Sequence, residues 1–164
     1  MGMIANYQQT TDEELEKLKS SKEIVEDVEE LQENEKLDVC DIDKMWDALH
    51  FLLLGRSAGE PVENNLISEA IVGQFVVSEE DFVSGIRADR VKAIAEALQE
   101  LNFEEYIKKF NMSDFAENNI YPDIWEYEDE EDEIIEELCD SFESMKKFYL
   151  RMSEKGCAVL VSIY

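Results

Sequence analysis

The one histidine of the chain, His50, stands among acids and an aromatic residue at helical spacing. Asp43, Asp47 and His50 fall along one flank of an apolar stripe. Asp47 and His50 are three residues apart and Trp46 and His50 four apart, so these side chains can touch. An imidazole beside carboxylates and an indole suits a small pocket, either for acid–base chemistry or for holding a small molecule or a cation. The plainer reading is a boundary histidine hydrogen-bonded to a helix acid, with Trp46 in the core, because ion-pair sites are often structural. Asn6, Tyr7 and Gln8 are further polar candidates near the same sheet. Tyr121 and Trp125 either offer an exposed aromatic contact or fix a turn by packing, and packing is the commoner use.

Other chemistries lack their parts. Gly55-Arg56-Ser57-Ala58-Gly59 matches the G-x-S-x-G nucleophile elbow. That elbow needs a strand before it, a helix after it, and an acid and then a histidine later in the chain. Here a helical pattern precedes Ser57, a loop follows it, and the histidine comes earlier, so Ser57 is read as a loop residue. Structural zinc wants four Cys or His ligands at close spacing, whereas Cys40, Cys139 and Cys157 are scattered. Asp38, Asp41 and Asp43 suggest a calcium loop, but counting from Asp41 puts Trp46 where the loop needs Gly and Leu52 where it needs Glu. No glycine-rich phosphate loop is present. Pairs of carboxylates arise by chance among 41 acids, and none has a partner in the sequence that would shift its pKa. The sequence therefore nominates no catalytic residue, no metal ligand and no cofactor.

The elements that must position these residues are legible from periodicity. Residues 3–8 alternate loosely, as a short strand does. Thr11 and Glu14 form a capping box for a helix through Leu15 and Leu18, and Ser20 and Glu23 repeat the pattern before Ile24, Val25, Val28 and Leu31. Asp41 is the expected N-cap of a helix carrying Ile42, Met45, Trp46, Leu49, Leu52 and Leu53 on one face, stopped by Gly55. Residues 55–65 read as a loop. Phe75 to Val77 and Phe82 to Ile86 read as strands, and Ala88 to Leu101 and Glu104 to Phe110 as helices. Residues 120–125 read as an ordered turn around Pro122. A long helix runs from about 130 to 154, acids at its start and Lys146, Lys147, Arg151 and Lys155 towards its end, as the helix dipole favours. Gly156 stops it, and 157–164 closes the chain as a β-branched strand. The pattern makes one α+β domain over residues 1–164.

Charge narrows the function further. The chain has 164 residues, with 15 Lys and Arg against 41 Asp and Glu, for a net charge of −26. Such a balance argues against nucleic acid and against anionic membrane surfaces, both of which are bound through Lys and Arg. No stretch approaches the ~20 apolar residues of a membrane span. The N-terminus lacks the basic region of a signal peptide. The cysteines are odd in number and far apart, which fits reduced thiols in a cytoplasm. Residues 126–137 hold nine acids in twelve positions. Such a run is ordinarily a solvated helix start, yet like charges there repel, and an acidic face can steer a basic partner.

Several segments in order carry a likeness to a known family: MGMIANY at the N-terminus, DIDKMWDALHFLLLG from Asp41 to Gly55, SEAIVGQ from Ser68 to Gln74, VKAIAEAL from Val91 to Leu98, YPDIW from Tyr121 to Trp125, and Phe148 to Tyr164. Together they cover nearly the whole chain, which resembles the YfbM-like family of bacterial domains of unknown function. The resemblance implies a compact α+β fold in which a small mixed or antiparallel sheet includes both terminal strands and packs against amphipathic helices. It implies no activity. One departure is that Arg87-Ala88 stand where such proteins tend to have Thr-Pro before the Val91 helix, which leaves that helix without its usual cap. The expected function is a non-enzymatic acidic binding protein, of inhibitor or immunity type, whose partner is a basic protein. The alternative is a small enzyme or ligand-binding domain with its pocket near Asp43, Trp46, Asp47 and His50. Oligomeric state is not legible.

Overall fold

The two ends of the chain pair with each other at the centre of its sheet. A computed structural model describes residues 2–164. In chain order it contains β1 (Ala5–Thr10), α1 (Asp12–Lys19), α2 (Ile24–Gln32), β2 (Val39–Asp41), α3 (Trp46–Leu54), α4 (Leu66–Val72), β3 (Phe75–Ser78), β4 (Val83–Ile86), α5 (Ala88–Glu100), α6 (Phe103–Ile107), α7 (Met112–Glu117), α8 (Glu131–Lys155) and β5 (Ala158–Ile163). A single 3₁₀ turn at Glu128–Glu130 leads into α8. The sheet order is β2-β1-β5-β4-β3, and every pairing is antiparallel. Ala5 lies opposite Ile163 and Thr10 opposite Ala158, so the sheet is antiparallel throughout and contains both terminal strands.

Strand alternation sends neighbouring residues to opposite faces. Ala5 and Tyr7 of β1, with Val159, Val161 and Ile163 of β5, join the large core built with α3, α4, α5 and α8. Ala158 and Leu160 join the smaller core under α1 and α2, built on Leu15, Leu18, Ile24, Val28 and Val83. The long helix α8 supplies the large core from one side through Leu138, Phe142, Met145, Phe148, Tyr149 and Met152.

Local signals placed several boundaries. Thr11 accepts a hydrogen bond from the Glu14 N–H at 3.1 Å and starts α1. Gly55 ends α3 at φ 75° and Gly156 ends α8 at φ 67°, left-handed positions that cost glycine little. Two expected caps differ. Ser20 closes α1 instead of opening α2, and the Glu23 N–H is held by Ser21 Oγ. Asp41 ends β2, its Oδ1 accepts the Asp43 N–H at 2.7 Å, and α3 begins only at Trp46. Asp43 adopts φ 51° in that turn, so the chain bends between the strand and the helix. The short elements β2, α4 and α7 carry too few residues to show a period. The missing cap of α5 is supplied from afar: Asp12 of α1 accepts the Ala88 N–H at 3.0 Å.

Candidate functional site

Asp47 and His50 both lie on α3, and both serve the loop that follows it. Asp47 is 4 % exposed. Its Oδ1 accepts from Ser57 Oγ at 2.9 Å and from the Ala58 N–H at 2.7 Å, and its Oδ2 accepts from the Tyr121 N–H at 2.9 Å. One carboxylate thus fastens two loops, at residues 57–58 and 121, to the start of α3. Ser57 also accepts from the Gly59 N–H at 3.2 Å, so its oxygen closes a tight turn. The G-x-S-x-G pattern here is a helix-to-loop connection with the serine tied to an acid. The histidine engages other groups.

His50 has no exposed surface. One ring nitrogen, Nδ1, is 2.7 Å from the Arg56 carbonyl, and the other, Nε2, is 2.8 Å from Ser68 Oγ. A carbonyl can only accept, so Nδ1 carries the proton, and Nε2 accepts from the Ser68 hydroxyl. Ser68 Oγ accepts in turn from the Val62 N–H at 3.0 Å. The chain of donors runs from loop backbone to serine to imidazole and back to loop backbone, with every site used. Burial holds the His50 pKa below the ordinary histidine range, and the Arg56 carbonyl opposes that shift only in part. The histidine expected at a pocket rim is instead walled in, because α4 brings Ser68 over it. The sequence offers no local signal for that pairing, since Ser68 is 18 positions away.

The remaining candidates separate. Tyr7 is fully buried, and its hydroxyl donates to the Ile71 carbonyl at 2.7 Å. Tyr149, which sequence reasoning took only as part of a helix face, does the same for Ala70 at 2.6 Å. Both carbonyls belong to the last turn of α4, where a helix leaves acceptors without internal partners. Burial raises the pKa of both phenols well above the usual value. Trp125 is 3 % exposed and donates to the Ile120 carbonyl at 2.6 Å, so it fixes the turn at Pro122 from inside. Tyr121 stacks on Trp46 with ring centroids 5.5 Å apart. Trp46 Nε1 donates to the Met3 carbonyl and the Met3 N–H donates to the Tyr121 hydroxyl, so the pair holds the lead-in to β1. Asp43 is in the turn before α3. Asn6 and Gln8 point to the opposite face of the sheet. Burial pushes the Cys40 thiol up to about 12, far from the thiolate form that reacts.

What the sequence did not reveal is a cleft of about 1070 Å³ beside this knot. Its walls come from the 57–64 loop, from Ser68, Glu69 and Val72 of α4, and from β3, β4 and Phe82, with Trp46, Arg87 and Arg90 also lining it. Gly73 permits the close approach of α4 to the sheet, because a Cβ there would collide with Ser84. Glu69 and Arg90 form a two-pronged pair on the wall, Nε to Oε1 at 2.9 Å and Nη2 to Oε2 at 2.6 Å. Asp47 and His50 hold the loop that shapes the cleft, yet neither lines it. Among the described residues no three His, Cys, Asp or Glu side chains are gathered to hold a metal ion, and no helix is long and apolar enough to cross a membrane.

Comparison with known proteins agrees with this architecture. Protein YfbM of Escherichia coli strain K12 is 30% identical over 169 residues, which cover 99% of this chain and 99% of that protein. The crystal structure of YfbM, itself described as a protein of unknown function, superposes with a TM-score of 0.82 at 27% identity, covering 99% of this chain and 100% of that one. Residues 1–162 match the family described as a domain of unknown function, DUF1877. The fold, the coverage and the sequence match agree, and the chain belongs to the DUF1877 family.

Proposed function

We propose that this chain is a non-enzymatic binding protein whose partner is a basic protein, in the manner of an inhibitor or an immunity-type protein. One observation carries the reading. Asp47, His50, Ser57 and Ser68, the groups best suited to proton transfer or nucleophilic attack, are all committed to hydrogen bonds that hold the 56–62 loop. A general base needs a free lone pair within reach of substrate, and His50 has neither a free nitrogen nor exposed surface. Meanwhile the acids of residues 126–137 are all exposed on a molecule of net charge −26. Such a field raises the association rate with basic partners and weakens as salt screens it.

The test is capture from extract of the source cells by the immobilised chain, at about 0.05 M and about 0.3 M NaCl, followed by reconstitution with the purified partner. The expected outcome is a basic protein whose association slows as salt rises. Absence of any specific, salt-sensitive protein partner overturns the reading. A second reading, a small-molecule site, is favoured by the cleft that Trp46, Ser57 and Ser68 line. It predicts that a metabolite of the same cells raises the melting temperature in proportion to the logarithm of its concentration. Loss of that response in a Trp46→Ala variant would place the ligand in the cleft.

A further inference from the structure

The two edges of the sheet end differently. At one edge β2 is three residues long, and Asp38 just before it is gripped by Arg151 at 2.6 Å. At the other edge the outer side of β3 pairs with no strand among the described residues. There Val76 is 62 % exposed and Phe82, in the β3–β4 turn, is 57 % exposed. Both line the cleft. Phe82 has φ 53°, a left-handed conformation that costs an aromatic residue free energy, and it holds the ring outside the core. Exposed apolar side chains along an unpaired edge invite a further strand.

The charge beside them that has no salt-bridge partner is negative. Glu79, Glu80 and Asp81 form the turn, Glu63 lies on the loop wall, and none of the four has a salt-bridge partner among the described residues. The cations nearby are already engaged: Arg90 by Glu69, and Arg87 and Lys19 by Glu16. A second copy of the chain would bring −26 against −26, which opposes edge-to-edge self-pairing.

The geometry points to docking of an extended basic segment of a partner protein as an added strand on β3. Its apolar side chains rest on Val76 and Phe82, and its Lys or Arg side chains face Glu63, Glu79, Glu80 and Asp81. An extended segment that carries both apolar and basic side chains can supply both contacts, with the edge hydrogen bonds holding it in place. The bulge between Val76 and Ser78 keeps the paired stretch short. This inference rests on the binding-protein reading above and names the surface for it.

The experiment is a titration of the ¹⁵N-labelled chain with an acetylated, amidated Lys-Val alternating hexapeptide, with a Glu-Val counterpart as control. The expected result is saturable shifts at amides 75–78, 82–84 and 57–64 for the Lys-Val peptide only. Val76→Asp and Phe82→Gly each weaken binding about tenfold or more. Val76 is exposed, and glycine suits the φ of residue 82, so both variants keep the fold, which their spectra verify. Saturable shifts confined to 126–137 would overturn the groove while leaving an acidic binding protein standing. An equal response to the Glu-Val peptide, or no saturable response, would also overturn the groove, and the extract capture then decides the function separately. Concentration-dependent broadening at β3 without peptide would assign the edge to self-association and overturn the proposal.

Discussion

Tyr7 and Gln8 are neighbours on β1 and equally hidden from solvent, yet they meet opposite fates. Tyr7 faces the thick side of the molecule, where its hydroxyl finds the Ile71 carbonyl. Gln8 lies opposite Leu160 on the thin side, under α1 and α2, and neither amide atom has a hydrogen-bond partner. On the thick side, by contrast, Asp47, His50, Ser68 and Tyr149 are buried and each finds partners, most of them backbone groups of loops and helix ends. The difference teaches that polarity is tolerated in an interior according to what surrounds it. Loops and a helix C-terminus bring unpaired backbone groups that need partners, whereas the two short helices bring apolar faces and one side chain, Gln32, which reaches Ser162 Oγ at 3.1 Å and leaves Gln8 unpartnered.

Four measurements would break or sharpen that contrast. The largest effect is expected for Asp47→Ala, which leaves the Ala58 and Tyr121 N–H groups and the Ser57 hydroxyl without their acceptor. Two orphaned backbone donors, one buried and one part-buried, at ~1–3 kcal/mol each put the loss at about 2–6 kcal/mol in urea unfolding. A loss below about 1 kcal/mol would mean that the loops are not held by this carboxylate.

Gln8→Met should move stability the other way. It keeps the length of the side chain and removes two unpartnered polar atoms. The expected gain is about 1–2 kcal/mol, read from the shift in the unfolding midpoint. A destabilised Gln8→Met variant would show that the Gln8 amide is satisfied after all.

The pH dependence tests the thick side again. The pKa of His50 is lowered in the folded state by burial. Above about pH 6.5, the unfolded value, neither state carries the proton and stability is complete. As pH falls below that, the unfolded chain takes up a proton that the folded chain refuses, and stability drops until the folded pKa is passed. The slope is at most about 1.4 kcal/mol per pH unit. No other histidine is present to mask it. Unfolding free energies between pH 7.5 and 5.5, compared with a His50→Gln control that should be flat, check the sign.

The smallest change is expected for Ser57→Ala. It removes one hydroxyl donor to Asp47 but leaves the two backbone donors in place, for about 0.5–1.5 kcal/mol. Combined with Asp47→Ala its cost should fall to what the Gly59 N–H bond to Ser57 Oγ contributes, and a double-mutant cycle reads the coupling to Asp47 directly.

Much of the fold was legible because its signals are local. Thr11 and Glu14 mark a helix start, Gly55 and Gly156 mark helix ends, and α5 and α8 declare their buried faces by spacing. The short elements α4, α7 and β2 escaped because too few residues carry the pattern. The site was legible only in part. Asp47, His50 and Trp46 were singled out by type and spacing on one helix. Their partners Ser68 and Tyr121, and the cleft formed with β3 and β4, are reached only through space.

The sequence by itself determined the helical faces, the terminal strands and the acidic surface, because each depends on residue type and on near neighbours along the chain. Tertiary structure alone decided that His50 is enclosed, that Asp47 holds a loop 74 positions away, that Asp12 caps a helix 76 positions away, and that the outer side of β3 pairs with no strand among the described residues. Hydrogen-bond partners and free strand edges are properties of which segments meet, and distant segments meet only when the hydrophobic core closes around them.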